Sequence, residues 1–196
     1  DNAARMLGFP VGPLQLVDET SIDLGAKIAR ATKAAMGETY PDSAVDNVLF
    51  WMESKGRLGR KAKAGFFRYD TQGKRLGYWE GLGAQYPLAA QQPNLIDVQH
   101  RLIFVQSLEA VRALETGVLM DIREGDVGAI LGWGFAPWSG GPFSWLDILG
   151  SPYAAERCDQ LHHAYGDRFA CPDLLRSMAS KGQSFYGQAK KAQSAA

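Results

Sequence analysis

Gly12-Pro13-Leu14-Gln15-Leu16-Val17-Asp18 returns later in the chain as Gly141-Pro142-Phe143-Ser144-Trp145-Leu146-Asp147. Both read Gly, Pro, apolar, any, apolar, apolar, Asp, and they lie 129 residues apart (18 against 147). Gly37-Glu38-Thr39-Tyr40 meets Gly166-Asp167-Arg168-Phe169 at the same offset. Met52-Glu53-Ser54-Lys55-Gly56 meets Met178-Ala179-Ser180-Lys181-Gly182 at an offset of 126, as a three-residue deletion would give (52 against 178). Gly8-Phe9 faces Gly134-Phe135. Ordered matches at nearly one offset mark a duplicated unit. The chain is therefore expected to divide into a first copy, truncated at its start, with its linker, 1–92, and a second copy, 93–196.

Each copy reads as helices separated by a shaped loop. Two prolines and two glycines between Gly8 and Pro13 exclude helix interior. Leu24, Ile28, Ala31 and Ala35 step by 4, 3 and 4, an apolar helical stripe that Gly37 stops. Ser43 and Asp46 resemble a capping box for a helix facing inward with Val45, Val48, Leu49 and Met52. Residues 57–65 are basic, Phe66-Phe67-Arg68-Tyr69 is extended, and 70–93 has no period and reads as the linker. Asn94 opens the longest helix, with the stripe Leu95, Val98, Leu102, Val105, Leu108 and Val111, closed by Gly117. A short helix at 126–131 leads into the second loop, 132–142. Ser151-Pro152 reads as a capping serine before an N1 proline, and Leu174, Leu175 and Met178 mark a last helix before Gly182. The tail from Gln188 is polar and reads as frayed. No strand alternation of useful length appears, so the fold class is all-α.

The 196 residues carry 21 basic and 21 acidic side chains. That balance argues against a nucleic-acid partner recognised by a basic field. No apolar run reaches a membrane span and no signal peptide is present, which places the expected location in the cytoplasm. Cys158 and Cys171 have no metal or redox spacing and read as free thiols. The adjacent His162 and His163 point to different helix faces, and no metal site is expected. No Gly-x-Gly-x-x-Gly follows a strand, so no cofactor is expected in the chain itself. No nucleophile–His–acid set is present, and no catalytic residue is assigned.

Two features could carry binding. The Gly-Pro loops admit close backbone approach, with apolar walls from Phe9, Trp133, Phe135 and Trp138; they could equally be helix-to-helix turns. Arg57, Arg60, Lys61 and Lys63 could meet phosphate oxygens, such as those of a nucleotide-containing thioester, or form a solvated basic loop. Asp18 and Asp147 read as helix caps.

The run Gly8 to Glu19, with Ile22-Asp23-Leu24-Gly25, resembles the C-terminal domain of the L-3-hydroxyacyl-CoA dehydrogenases. Gly59-Arg60-Lys61-Ala62-Lys63-Ala64-Gly65-Phe66-Phe67-Arg68-Tyr69 looks like that domain's closing signature, with Ala64-Gly65-Phe66-Phe67 where the family has Lys-Gly-Phe-Tyr. Asp126 to Phe135, running on to Gly140-Gly141-Pro142-Phe143, is similar to the second copy in multifunctional fatty-acid β-oxidation proteins. The resemblance implies two duplicated helical units packed together, 6-phosphogluconate dehydrogenase C-terminal-like. It implies a parent that oxidises (3S)-3-hydroxyacyl-CoA with NAD. The family's catalytic His–Glu pair and NAD loop belong to a Rossmann domain, the expected partner, and an assisting Asn lies on a helix that would precede Asp1. The chain alone is then expected to be an inactive fragment. Phe9, Pro10, Gly12 and Pro13 would form a wall for the acyl-CoA substrate. Apolar surface near Leu7, Phe9 and Leu14 would be left exposed, and self-association could hide it. A stand-alone helical module for CoA esters or a protein partner is the other reading, and a tail of the β-hydroxyacid dehydrogenase type a third.

Overall fold

The structure is a computed structural model of the chain and describes residues 1–41 and 43–187; the polar tail from Gln188 lies outside the described residues. Ten α-helices are described: α1 (Asn2–Met6), α2 (Pro13–Thr20), α3 (Ile22–Met36), α4 (Ala44–Ser54), α5 (Gly81–Gln85), α6 (Leu95–Glu115), α7 (Ile122–Trp133), α8 (Pro142–Leu149), α9 (Ser151–Tyr165) and α10 (Asp173–Lys181). The all-α class holds, with one addition. The extended piece at Phe66 pairs with a second strand, giving the antiparallel hairpin β1 (Phe67–Tyr69) and β2 (Arg75–Tyr78). The strands are too short to show alternation. The Asp70 carboxylate sets the turn by accepting from the N–H groups of Gln72 and Lys74, and Phe67 stacks on Tyr78 with centroids 4.5 Å apart.

Contacts divide the chain into two units. One holds Asp1 and Val11–Gln92; the other holds Asn2–Pro10 and the chain from Pro93 onward. Residues 2–10 thus pack with the second repeat, although they lead into the first.

The first unit has a small core of Ile22, Met52, Phe66 and Phe67, flanked by Leu14, Val17, Leu49, Trp51 and Trp79. The stretch read as a linker covers this unit: Trp79 stacks on Trp51 at 5.4 Å and Leu82 joins the cluster. Ser43 caps α4 by accepting from the Val45 N–H, while Asp46 accepts from the Tyr40 hydroxyl instead of closing a capping box. The α3 stripe does not face this core. Ile22, Ala26 and Ala29 are buried, and Leu24, Ile28, Ala31 and Ala35 are exposed.

The second unit has a larger core. Ile103, Phe104, Leu108 and Val111 of α6 meet Phe135, Phe143, Leu146, Leu161, Leu175 and Met178. Asn94 caps α6 as expected. The buried face of α6 is rotated from the expected stripe: its N-terminal members are exposed or half-buried, and Ile103, Phe104 and Ser107 take the inner positions. Asp121 caps α7, which starts earlier than 126. The helix-start serine is also displaced. Gly150 is the cap of α9, and Ser151 Oγ donates to the Gln183 carbonyl at 2.6 Å.

Candidate functional site

The two Gly-Pro motifs open α2 and α8, both eight residues long with proline at the start. In each, a carboxylate from upstream sits on the helix N-terminus. Asp1 accepts from the Leu14 N–H at 2.9 Å. Asp126 accepts from Phe143 N–H at 2.8 Å, Ser144 N–H at 3.1 Å and Ser144 Oγ at 2.6 Å. These bonds satisfy orphan donors and favour negative charge at the positive helix end. They also explain the motif glycines: a Cβ on Gly12 would lie 2.4 Å from Asp1, and one on Gly141 would lie 2.5 Å from Asp126.

The motif aspartates do not cap helices. Asp18 lies inside α2, is buried, and receives the returning chain: Phe66 N–H at 2.8 Å, Phe67 N–H at 3.0 Å and the Tyr69 hydroxyl at 2.8 Å. Asp147 does the same for Phe185 N–H at 2.8 Å and Tyr186 N–H at 2.9 Å. Each repeat is closed by a carboxylate gripping two successive amides, a charge-assisted arrangement stronger than neutral pairs. The tyrosines differ, since Tyr186 donates to Asp126 at 2.8 Å and not to Asp147. Burial, then the bond to Asp126, pushes the Tyr186 phenol up to about 12. Burial and then Asp18 raise the Tyr69 phenol well above its ordinary value.

The loop residues proposed as a substrate wall separate into two groups. Phe9 and Pro10 pack within the second unit, where Phe9 meets Phe135 edge-on at 5.8 Å and the Trp138 indole N–H donates to the Leu7 carbonyl at 2.5 Å. Gly12 and Pro13 belong to the first unit. Leu7, Phe9 and Leu14 are themselves half-buried, Leu7 and Phe9 against the second unit's core and Leu14 against the first's, while the neighbouring Met6 and Leu16 are exposed. Of the other proposed walls, Phe135 is buried, and Trp133 and Trp138 are exposed.

The basic stretch is largely committed to holding its own fold. Arg57 donates to the carbonyls of Gly65 at 2.7 Å and Phe67 at 3.0 Å, with its guanidinium 4.3 Å over the Trp79 ring. Arg60 pairs with Glu19 at 2.9 Å and reaches the Gly73 carbonyl at 3.2 Å. Lys63 donates to the Thr71 carbonyl at 2.5 Å. Arg60, Lys61 and Lys63 line an open hollow of about 400 Å³ with Glu19 and residues 71–73. The inward role of Arg57 could not be read from composition, because an arginine that closes a loop and one that meets a ligand look alike in sequence.

Residues 1–69 match the family described as 3-hydroxyacyl-CoA dehydrogenase, C-terminal domain. The first repeat, at residues 1–69, is similar to that domain. The chain is 39% identical over 189 residues to a fatty acid oxidation complex subunit alpha of Shewanella loihica, a match covering 95% of this chain and 26% of the relative. The Vibrio vulnificus protein of that name is 37% identical over 190 residues, again covering 95% and 26%. The chain thus spans about a quarter of the length of these curated relatives. Among solved structures it resembles 3-hydroxybutyryl-CoA dehydrogenase from Escherichia coli K12, with TM-score 0.64, 20% identity and coverage of 93% of this chain and 54% of that one. It also resembles the dehydrogenase part of multifunctional enzyme 1 from C.elegans, with TM-score 0.64, 22% identity and coverage of 90% and 40%. These likenesses show the helical fold of the domain. Asp18 and its three donors all fall inside the family match. The only sheet among the described residues is the β1–β2 hairpin. No helix among them is long and apolar enough to cross a membrane.

Proposed function

We propose that this chain is the substrate-side, structural portion of an NAD-dependent (3S)-3-hydroxyacyl-CoA dehydrogenase of fatty-acid β-oxidation, acting in the cytoplasm. The observation that carries the reading is the family match over residues 1–69, which contains the Gly-Pro motif, the Asp1 cap and the Asp18 grip. In this reading the nucleotide and the His–Glu general base are supplied by a Rossmann domain, and the chain has no turnover alone. The Gly-Pro loop with Phe9, Pro10, Gly12 and Pro13 contributes to the wall along the acyl-CoA. The hollow at Arg60, Lys61 and Lys63 is the place in this chain best suited to a CoA phosphate, with Lys61 at its rim and Arg57 turned inward. The test is a spectrophotometric assay of the 196-residue chain with acetoacetyl-CoA and NADH. No NADH consumption is expected; turnover of the order of 1 per second or more, typical of enzymes, would refute the reading.

A further inference from the structure

The chain has two cysteines, and the fold brings them together. Cys158 lies on α9, fully buried in the core of the second unit. Cys171 is half-buried in the short connection that leads into α10. The Cys158 thiol donates to the Cys171 sulfur, and the Cys171 thiol donates to the Pro172 carbonyl at 3.7 Å. The segment that carries Cys171 is held on both sides from α6. Arg112 donates to the Ala170 carbonyl at 2.8 Å, and Glu115 accepts from the Leu174 N–H at 2.5 Å. Arg176 of α10 pairs with Asp159 of α9 at 2.6 Å, one residue along from Cys158. The charged groups that act on Cys171 are thus Arg176, Asp159 and Glu115. The bond from Cys158, with the Arg176 charge, holds the Cys171 thiol below its ordinary value against burial and the two carboxylates. The same bond, and then burial, raises the Cys158 thiol well above that value. The repeated fold does not require sulfur here. Ala29 of α3 stands at the place of Cys158, 129 residues earlier (29 against 158), and is buried too.

We propose that Cys171 and Cys158 form a peroxide-sensitive modification site, in which half-buried Cys171 is oxidised first and buried Cys158 resolves it to an intramolecular disulfide. Access sets the order: a small neutral oxidant meets Cys171 at the surface, whereas a thiol sealed in an apolar core is inert. Contact sets the product, because the resolving sulfur already touches the one that is oxidised. In the first step the Cys171 thiolate attacks one oxygen of hydrogen peroxide. A sulfur–oxygen bond forms, the oxygen–oxygen bond breaks, and the departing hydroxide takes up the thiol's proton as water. In the second step the Cys158 sulfur attacks the Cys171 sulfenic acid. The sulfur–sulfur bond forms, the sulfur–oxygen bond breaks, and the hydroxyl leaves as a second water with the Cys158 proton. Two thiols are oxidised to one disulfide, and one peroxide is reduced to two waters. A dithiol reductant reverses the change by exchange, so in a reducing compartment the bond is transient. The inference rests on the sulfur contact and stands apart from the dehydrogenase reading, which the activity assay decides.

The test exposes the reduced 196-residue chain to hydrogen peroxide, blocks remaining thiols with N-ethylmaleimide, and maps the unreduced digest by mass spectrometry. The expected product is one cross-link within the chain, joining the peptides of Cys158 and Cys171 and removed by dithiothreitol. Two variants order the steps, each checked for helix content by circular dichroism. Cys158→Ala, the side chain that the first repeat already carries at this place, should leave a sulfenic acid on Cys171 that dimedone captures. Cys171→Ser should protect Cys158, whose thiol is then lost at least about tenfold more slowly than Cys171 in the unaltered chain. The cross-link itself is read on the unaltered chain and does not depend on either variant folding. Four results would overturn the proposal: no reaction of either thiol, Cys171 driven to sulfinic acid without a cross-link, disulfides only between chains, or Cys158 oxidised as fast as Cys171.

Discussion

α3 and α9 share a length, a positive-φ residue before them and a glycine after them, yet α9 is bound along one side to α6 while α3 shows that side to water. The residues have followed the surroundings. Where α6 lies alongside, the row is Arg157, Leu161 and Tyr165, each with a partner; where it is exposed among the described residues, it is Ile28, Thr32 and Met36. Local code made the same helix twice, and burial was decided by what was available to cover it. The carboxylate grips show the opposite behaviour. Asp18 and Asp147 each hold two successive amides, although their surroundings differ. The closure of the repeat is conserved within the chain where its outer face is not.

The largest expected contrast is between Trp145 and Leu16, which hold the same place in the two repeats. Trp145→Ala removes a buried ring from α6 and should cost about 3–5 kcal/mol, whereas Leu16→Ala should stay within about 0.5 kcal/mol. Urea unfolding of both variants measures this, and equal losses would erase the contrast. Next come the grips. Asp18→Ala leaves two buried amides and a tyrosine hydroxyl unpaired and should cost about 3 kcal/mol; Asp147→Ala, with two bonds in a half-buried place, should cost about 2 kcal/mol. A larger loss at Asp147 would break the view that the first repeat depends more on its grip.

Alkaline titration sharpens the difference between the tyrosines. Both phenols hold their protons more tightly folded than unfolded, where the value is about 10. Their contribution is therefore complete below pH ~10 and lost as pH rises through the folded value, which for Tyr186 is about 12. Tyr186→Phe should flatten the fall in stability across that window. An unchanged slope would mean that folding does not raise the Tyr186 phenol. The smallest effect concerns the residue before each helix. Ser21 has φ 86° where Gly150 has φ 83°. Gly150→Ser should cost about 1 kcal/mol, and Ser21→Gly should gain about 0.5 kcal/mol, because Ser21 Oγ bonds to Asp23 and to the Leu58 carbonyl partly offset its strain. Thermal melts of the two reciprocal variants distinguish this from a neutral turn.

Much of the fold was legible. Repeated motifs, capping residues such as Ser43 and Asn94, and stop glycines such as Gly37 and Gly182 act within a turn or two of chain, so their spacing reports the helices they bound. The hairpin was not legible, since a three-residue strand is too short to show a period. Of the candidate site, the loops and the basic stretch were located but their use was not. Arg57 read either as a phosphate contact or as part of a solvated basic loop, and its bonds to the Gly65 and Phe67 carbonyls could not be foreseen from composition. Asp18 looked like a cap until amides 48 and 49 residues later were found on its carboxylate.

From its residues alone this chain determined that it is helical, that its motifs recur at nearly one offset, and where several of its helices start and stop. Those outcomes depend on backbone geometry and on bonds between near neighbours. Only the tertiary structure decided which side of each helix is covered, that residues 2–10 pack with the second repeat, and that the motif aspartates clasp a distant strand or loop. Burial and long-range hydrogen bonds depend on which segments meet in space, and the stripe on α3 is identical whether or not another helix lies against it.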